Sequence, residues 1–156
     1  MSKRSIENMF THHGKTVDVI GKTRVKTYHD LYNYLTELQN SKEISVHDNY
    51  LGDNILAINL YKKKYLIKDL NCDHIEKTPE DVFKRLGSFL ATVEGTKAKQ
   101  KKWARKFYEE LFEGRFIPGG RVLAGAGDLY RLKTLANCFV TKIQKDEIDS
   151  IYKAAY

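Results

Sequence analysis

The strongest helical pattern of apolar and polar positions runs from Thr78 to Gly95. Val82, Phe83, Leu86, Phe89, Leu90 and Val93 recur at the spacing that puts them on one helical stripe. Thr78 is a suitable N-cap, Pro79 suits the first helical position, Glu80 and Asp81 favour the positive end of the dipole, and Gly95 closes the element. A second helix follows from about Thr96 to Glu113, with Trp103, Phe107, Leu111 and Phe112 as its apolar side. Its lysines (Lys97, Lys99, Lys101, Lys102) crowd the start and its glutamates (Glu109, Glu110, Glu113) the end, so both clusters oppose the dipole and the helix depends on packing.

Upstream, TYHDLYNYLTELQ at 27–39 places Tyr28, Leu31, Tyr32, Leu35 and Leu38 on one amphipathic face, and NSKE ends the element. DNILAINLYKKKY at 53–65 reads as a further helix with Asp53 as N-cap and Ile55, Leu56, Ile58 and Leu60 apolar. YLIKD at 65–69 then leads into a turn, LNCDH, and a short return, IEK. Residues 1–26 are weakly periodic; TVDVIGKTRVKT suggests a short hairpin around Gly21-Lys22, with Val17, Val19 and Val25 among polar residues. After residue 114 the character changes. Five of the ten glycines fall between Gly114 and Gly127, and with Pro118 they predict tight, exposed backbone rather than a helix. LANCFVTKI at 135–143 reads as a strand. KDEIDSIYKAAY at 145–156 reads as a helix lined by Ile148, Ile151, Tyr152 and Ala155.

Composition narrows the class. Hydrophobic residues make up 42% of the 156, and ten Tyr, seven Phe and one Trp are present, enough for a packed core. No apolar run is long enough to cross a membrane, and MSKRSIENMFTHHGK has no apolar signal core. A cytoplasmic chain with two free thiols, Cys72 and Cys138, is the expectation. The formal net charge of +7 admits a polyanionic partner. KAKQKKWARK at 97–106 carries six cations and no acid, a local charge nearly equal to that of the whole chain. A solvated helix face is the plain reading of that run. A small basic nucleic-acid-binding protein, using those cations, Trp103 and the tyrosines, is the weaker alternative.

Motifs for other chemistries are missing. Neither a P-loop nor a complete dinucleotide fingerprint occurs; Gly125-x-Gly127 is only a fragment. His12-His13, His74 and Cys72 form no zinc-type pair, and no Cys-His or Ser-His-Asp relay is visible. Cys72, in the LNCDH turn, reads as an incidental thiol, and Cys138, taken alone, as a small core residue of an apolar strand.

The order of segments adds what spacing alone does not. FIPGGRVLAGAG at 116–127 followed by ANCFV at 136–140, preceded by ILAINLYKKKYLIKDL and IEKTPEDVFKRL, resembles the N-terminal part of the ribonucleotide reductase catalytic subunit, most like the adenosylcobalamin-dependent branch, over about residues 50–156. The resemblance implies three regions: a 1–49 extension of unknown role, a mainly α N-terminal helical domain at 50–114, and at 115–156 the first strand of an α/β ten-stranded barrel, a fold incomplete on its own. It implies a thiyl-radical reduction of ribonucleotides in which Cys138 is one of two substrate-reducing thiols, with Gly120, Arg121, Val122 and Asn137 on the substrate side. The cofactor implied is adenosylcobalamin, bound mainly by downstream polypeptide. An external dithiol, thioredoxin- or glutaredoxin-like, would restore the thiols. The remaining catalytic groups lie downstream in that family, so the partner expected is a separate C-terminal catalytic subunit. A split gene is preferred over an intron- or intein-interrupted or shortened one, and a phage or viral source fits such an arrangement. The cobalamin-independent large subunit, which needs a radical-generating partner, is the alternative within the family.

Overall fold

The computed structural model describes residues 6–11, 14–47 and 49–155. The His12-His13 pair lies outside them. Helices are α1 Glu7–Thr11, α2 Lys15–Ile20, α3 Lys22–Asn40, α4 Ile55–Leu60, α5 Pro79–Ala91, α6 Lys97–Phe112, α7 Gly120–Gly125 and α8 Ile148–Ala155. A single π-helical turn, Tyr61–Tyr65, continues α4. Among the described residues there is no sheet, only an isolated antiparallel bridge between Lys68 and His74.

The centre is α5, packed against α3 on one side and α6 on another. Its N-terminus forms as its residues dictate: Thr78 accepts from the Asp81 N–H while the Asp81 carboxylate accepts from the Thr78 N–H, a reciprocal capping box, with Pro79 in the first turn. Val82, Phe83, Leu86 and Phe89 are buried as their spacing requires. Val93 is not. The helix ends at Ala91, and Val93, two residues beyond it, is 70% exposed. At Gly87 the α5 backbone meets α6 so closely that a Cβ would sit 2.9 Å from the Ala104 carbonyl oxygen and 3.3 Å from the Tyr108 amide nitrogen. This absence of a side chain lets Ala104 and Tyr108 of α6 become fully buried.

The amphipathic reading of α3 holds, and the helix extends further towards the N-terminus. Val25 joins Tyr28, Leu31, Tyr32, Leu35 and Leu38 in the core, and helix replaces the expected hairpin. The reason is periodicity. Val17 and Val25 are buried at positions that a helix pair joined at Gly21 can turn inward together, whereas Val19, which a strand would have placed on their face, is 66% exposed. Asn54, not Asp53, caps α4: its side chain accepts from the Ala57 N–H at 3.0 Å. α6 is capped by Thr96, which accepts from the Lys99 N–H, and its stability rests on burying Ala104, Tyr108 and Leu111.

Two expectations for the C-terminal third fail. The glycine segment is not wholly irregular: Gly120–Gly125 form a helical turn and a half, started by N–H groups of Val122 and Leu123 donating to the Gly119 carbonyl. Tertiary packing against the Tyr61–Tyr65 turn, with Leu123 buried, overrides the low helix propensity of glycine. Residues 135–143 join no strand; their start lies along the helical α7, which offers no extended backbone to pair with. α8 forms where its periodicity places it, with Ile148, Ile151 and Tyr152 exposed.

Candidate functional site

A buried ion pair organises the ground on which the glycine segment rests. Arg85, on α5, and Glu76, in the return after the Lys68–His74 bridge, are both fully buried, with Arg85 Nε 2.7 Å from Glu76 Oε1. The other carboxylate oxygen accepts from the Ile67 N–H at 2.8 Å. The guanidinium spends its remaining donors on carbonyls: Ala126 at 2.6 Å, Leu123 at 2.8 Å and Tyr65 at 3.1 Å. One side chain therefore fastens α5, the π-turn and the C-terminal end of α7. An unpaired charge in such a place would be prohibitive; the pair with its saturated hydrogen bonds is what makes burial tolerable. Burial pushes the Glu76 carboxyl upward, and the Arg85 charge and its hydrogen bond pull it back down.

Gly127 completes the clamp. Its φ is +80°, and a Cβ there would lie 2.8 Å from the Tyr28 hydroxyl and 2.9 Å from Arg85 Cγ. The Tyr28 hydroxyl donates to the Gly127 carbonyl at 3.1 Å, tying α3 to the same segment. Burial raises the Tyr28 phenol well above its ordinary value, against the pull of Arg85. Downstream, Asp128 Oδ1 accepts from the N–H groups of Tyr130 and Arg131, and Oδ2 lies 2.8 Å from Lys133 Nζ. Arg131 donates to the Lys68 and Asp69 carbonyls, both at 2.6 Å.

The residues expected on the substrate side stand just beyond this anchored base. After Arg131 the chain doubles back along α7. Lys133 Nζ donates to the Ala124 carbonyl at 3.0 Å, and Arg121 donates to the Thr134 hydroxyl at 3.0 Å. A Cβ on Gly119 would lie 4.0 Å from Asn137 Nδ2. Gly120 and Asn137 are thereby brought near Arg121 at the start of α7, all three exposed, and Val122 is half-buried on the core side. Cys138 follows and is exposed, not packed as a core residue. It bonds to no thiol; Cys72 is free and exposed in the distant turn, at φ +67°. Phe139 and Val140, next along the chain, also face solvent.

Among the described residues no group of three or more His, Cys, Asp or Glu is placed to hold a metal ion. No helix is long and apolar enough to cross a membrane. Three of the six cations of 97–106 meet partners on the protein's own surface: Arg105 with Glu109 at 2.8 Å, Lys101 over Tyr34 and Lys106 over Trp103.

Sequence reasoning did not find Glu76, Arg85, Tyr28, Asp128 or Arg131. For Arg85 a signal existed, a charge lying within the apolar stripe of Val82, Leu86 and Phe89. The pairings themselves span up to 99 residues and have no local signature.

Residues 51–131 match the family described as "Ribonucleotide reductase, all-alpha domain". No curated protein and no solved structure matches the chain.

Proposed function

The chain belongs to the ribonucleotide reductase family through its all-alpha domain, and from that premise we propose that it is the N-terminal part of a reductase catalytic subunit that presents Cys138 as a substrate-reducing thiol. One observation carries the reading. Segment 123–131 is anchored by Arg85 at one end and by Arg131 at the other, and past the 132–137 stretch that folds back along α7 Cys138 and its apolar neighbours are uncovered. That arrangement suits a thiol held at the edge of a site that further polypeptide encloses.

The chemistry follows from two thiols acting together. As the ribonucleotide's 2′-hydroxyl leaves as water, Cys138 and a second thiol give up two electrons and two protons and become a disulfide. An external dithiol then reduces that disulfide. Gly120, Arg121 and Asn137, exposed around the start of α7, are our candidates for contacts to the nucleotide. In our reading the radical-forming cysteine, the second thiol and the rest of the barrel come from a separately encoded C-terminal subunit, with 135–143 pairing as a strand there. Adenosylcobalamin is the cofactor proposed for the assembly, where it would supply the radical. The described residues do not themselves fit it: the apolar cleft between α5 and α6, about 300 Å³, is no match for a corrin and presents no metal-ligating His or Cys. Its binding is assigned to the partner.

The test is reconstitution. The chain is mixed with the candidate C-terminal subunit, a ribonucleoside di- or triphosphate, adenosylcobalamin and a dithiol, and deoxyribonucleotide is measured. Cys138→Ser should abolish multiple turnover while the complex still assembles. Wild-type turnover by that variant would refute the assignment. Activity that needs a separate radical-generating protein instead of adenosylcobalamin would move the chain to the family's cobalamin-independent branch.

A further inference from the structure

A second site, away from the glycine segment, lies where the start of α5 meets α4 and the π-turn. A cavity of about 160 Å³ is lined by Tyr50 and Tyr61, by the aliphatic side chains of Leu51, Ile58 and Leu66, and by Glu80. Glu80 is only 4% exposed, and its Oε1 is sealed from solvent with no hydrogen-bond partner among the described residues. Buried carboxylate oxygens are seldom left bare, because the lost hydration is not returned.

Glu80 sits in the first turn of α5, where its charge suits the helix dipole, but that leaves its Oε1 without a hydrogen bond. Capping of α5 is done by Thr78 and Asp81. The Glu80 charge is felt by Tyr50, Tyr61 and Tyr108. Two of these phenols have only one proton each and have committed it elsewhere: Tyr50 donates to the Phe112 carbonyl at 2.7 Å and Tyr108 to the Ser45 carbonyl at 2.9 Å. Lys62 and Lys77 also line the cavity but are exposed, so their ammonium groups reach water along their stems. What remains is one unpartnered carboxyl oxygen facing aromatic and aliphatic walls, with Asn49 and Thr78 also on the lining.

That combination selects the ligand class. A single carboxylate is a poor site for a divalent metal, which wants several oxygen ligands. A carboxylate beside tyrosine rings suits an organic cation, whose N–H groups donate to the oxygen while its charge meets the ring faces. We propose that this cavity binds an ammonium or guanidinium group, seated on Glu80 between Tyr50 and Tyr61. The volume admits such a head and a few methylenes. The group can come from a free amine or guanidine, or from a Lys or Arg side chain of a docked polypeptide.

The proposal goes beyond the reductase reading and stands or falls without it. The full chain is titrated calorimetrically with butylguanidine, with its neutral analogue butylurea, and with a short end-capped arginine peptide beside its citrulline counterpart. The charged members should bind roughly tenfold to a hundredfold more tightly than the neutral ones, the range of a charge-assisted hydrogen bond. Glu80→Gln should erase that difference while retaining a native circular dichroism spectrum. Tyr61→Phe should keep it, and Lys62→Gln should tighten charged ligands by removing repulsion. Equal affinity of butylguanidine and the arginine peptide would identify a free small cation as sufficient; a much tighter peptide would identify a polypeptide ligand. Charged and neutral ligands binding alike, or no binding by either, would overturn the proposal and leave a water-filled cavity.

Discussion

At the scale of single residues, the Arg85–Glu76 pair governs how the glycine segment is held. Arg85→Leu would leave a buried carboxylate without its partner and release the Ala126, Leu123 and Tyr65 carbonyls. A loss of about 3–5 kcal/mol is expected, read from urea denaturation. Replacing both residues with leucine should cost less than the sum of the two single changes, because no charge is then stranded. The phenols make a separate prediction. Burial raises Tyr28, Tyr32 and Tyr61, the last to about 12 from an ordinary 10.0. In the unfolded chain they ionise near that ordinary value, whereas in the native state they stay protonated. Their contribution is therefore complete below about pH 10 and drains away as the pH climbs through the native values. Tyrosinate absorbance should rise together with loss of helix in an alkaline titration. Ionisation of every tyrosine near pH 10 with the helix intact would contradict the burial of these rings.

At the scale of elements, α5 and α6 were legible in the sequence because their boundaries are set locally. Thr78, Pro79, Asp81 and Thr96 make their capping contacts within a turn of themselves. α7 was not legible, since what holds Gly120–Gly125 helical is the distant Tyr61–Tyr65 turn and the burial of Leu123. The hairpin reading failed at Val19 for a similar reason: alternation over a few residues does not distinguish a strand from two short helices meeting at a glycine. Of the expected site, Gly120, Arg121 and Asn137 are indeed brought together, but through contacts of 132–137 with α7 that no spacing rule anticipates. The α5–α6 crossing offers a clean test. Gly87→Ala would press a methyl against backbone, the Ala104 carbonyl at 2.9 Å, and should cost about 1–3 kcal/mol in thermal or urea unfolding. Gly95→Ala, with open space around it, should be close to neutral by comparison.

At the scale of the whole molecule, the described residues divide unequally. A packed helical unit built on α3, α5 and α6 carries a C-terminal stretch in which Leu132, Phe139, Val140, Ile143, Ile148 and Tyr152 are all exposed. Extended backbone with bare apolar side chains invites association. The chain alone should be poorly soluble, and co-expression with the proposed C-terminal partner should raise the soluble fraction several-fold; no change on co-expression would count against that proposal. The most direct measurement follows the thiol itself. In the reconstituted enzyme, given ribonucleotide but no external dithiol, a stoichiometric burst of deoxyribonucleotide should leave Cys138 in a disulfide with a partner thiol, protected from alkylation and identifiable by peptide mass spectrometry. Cys138 that stays fully open to alkylation through the burst would contradict its role as reductant.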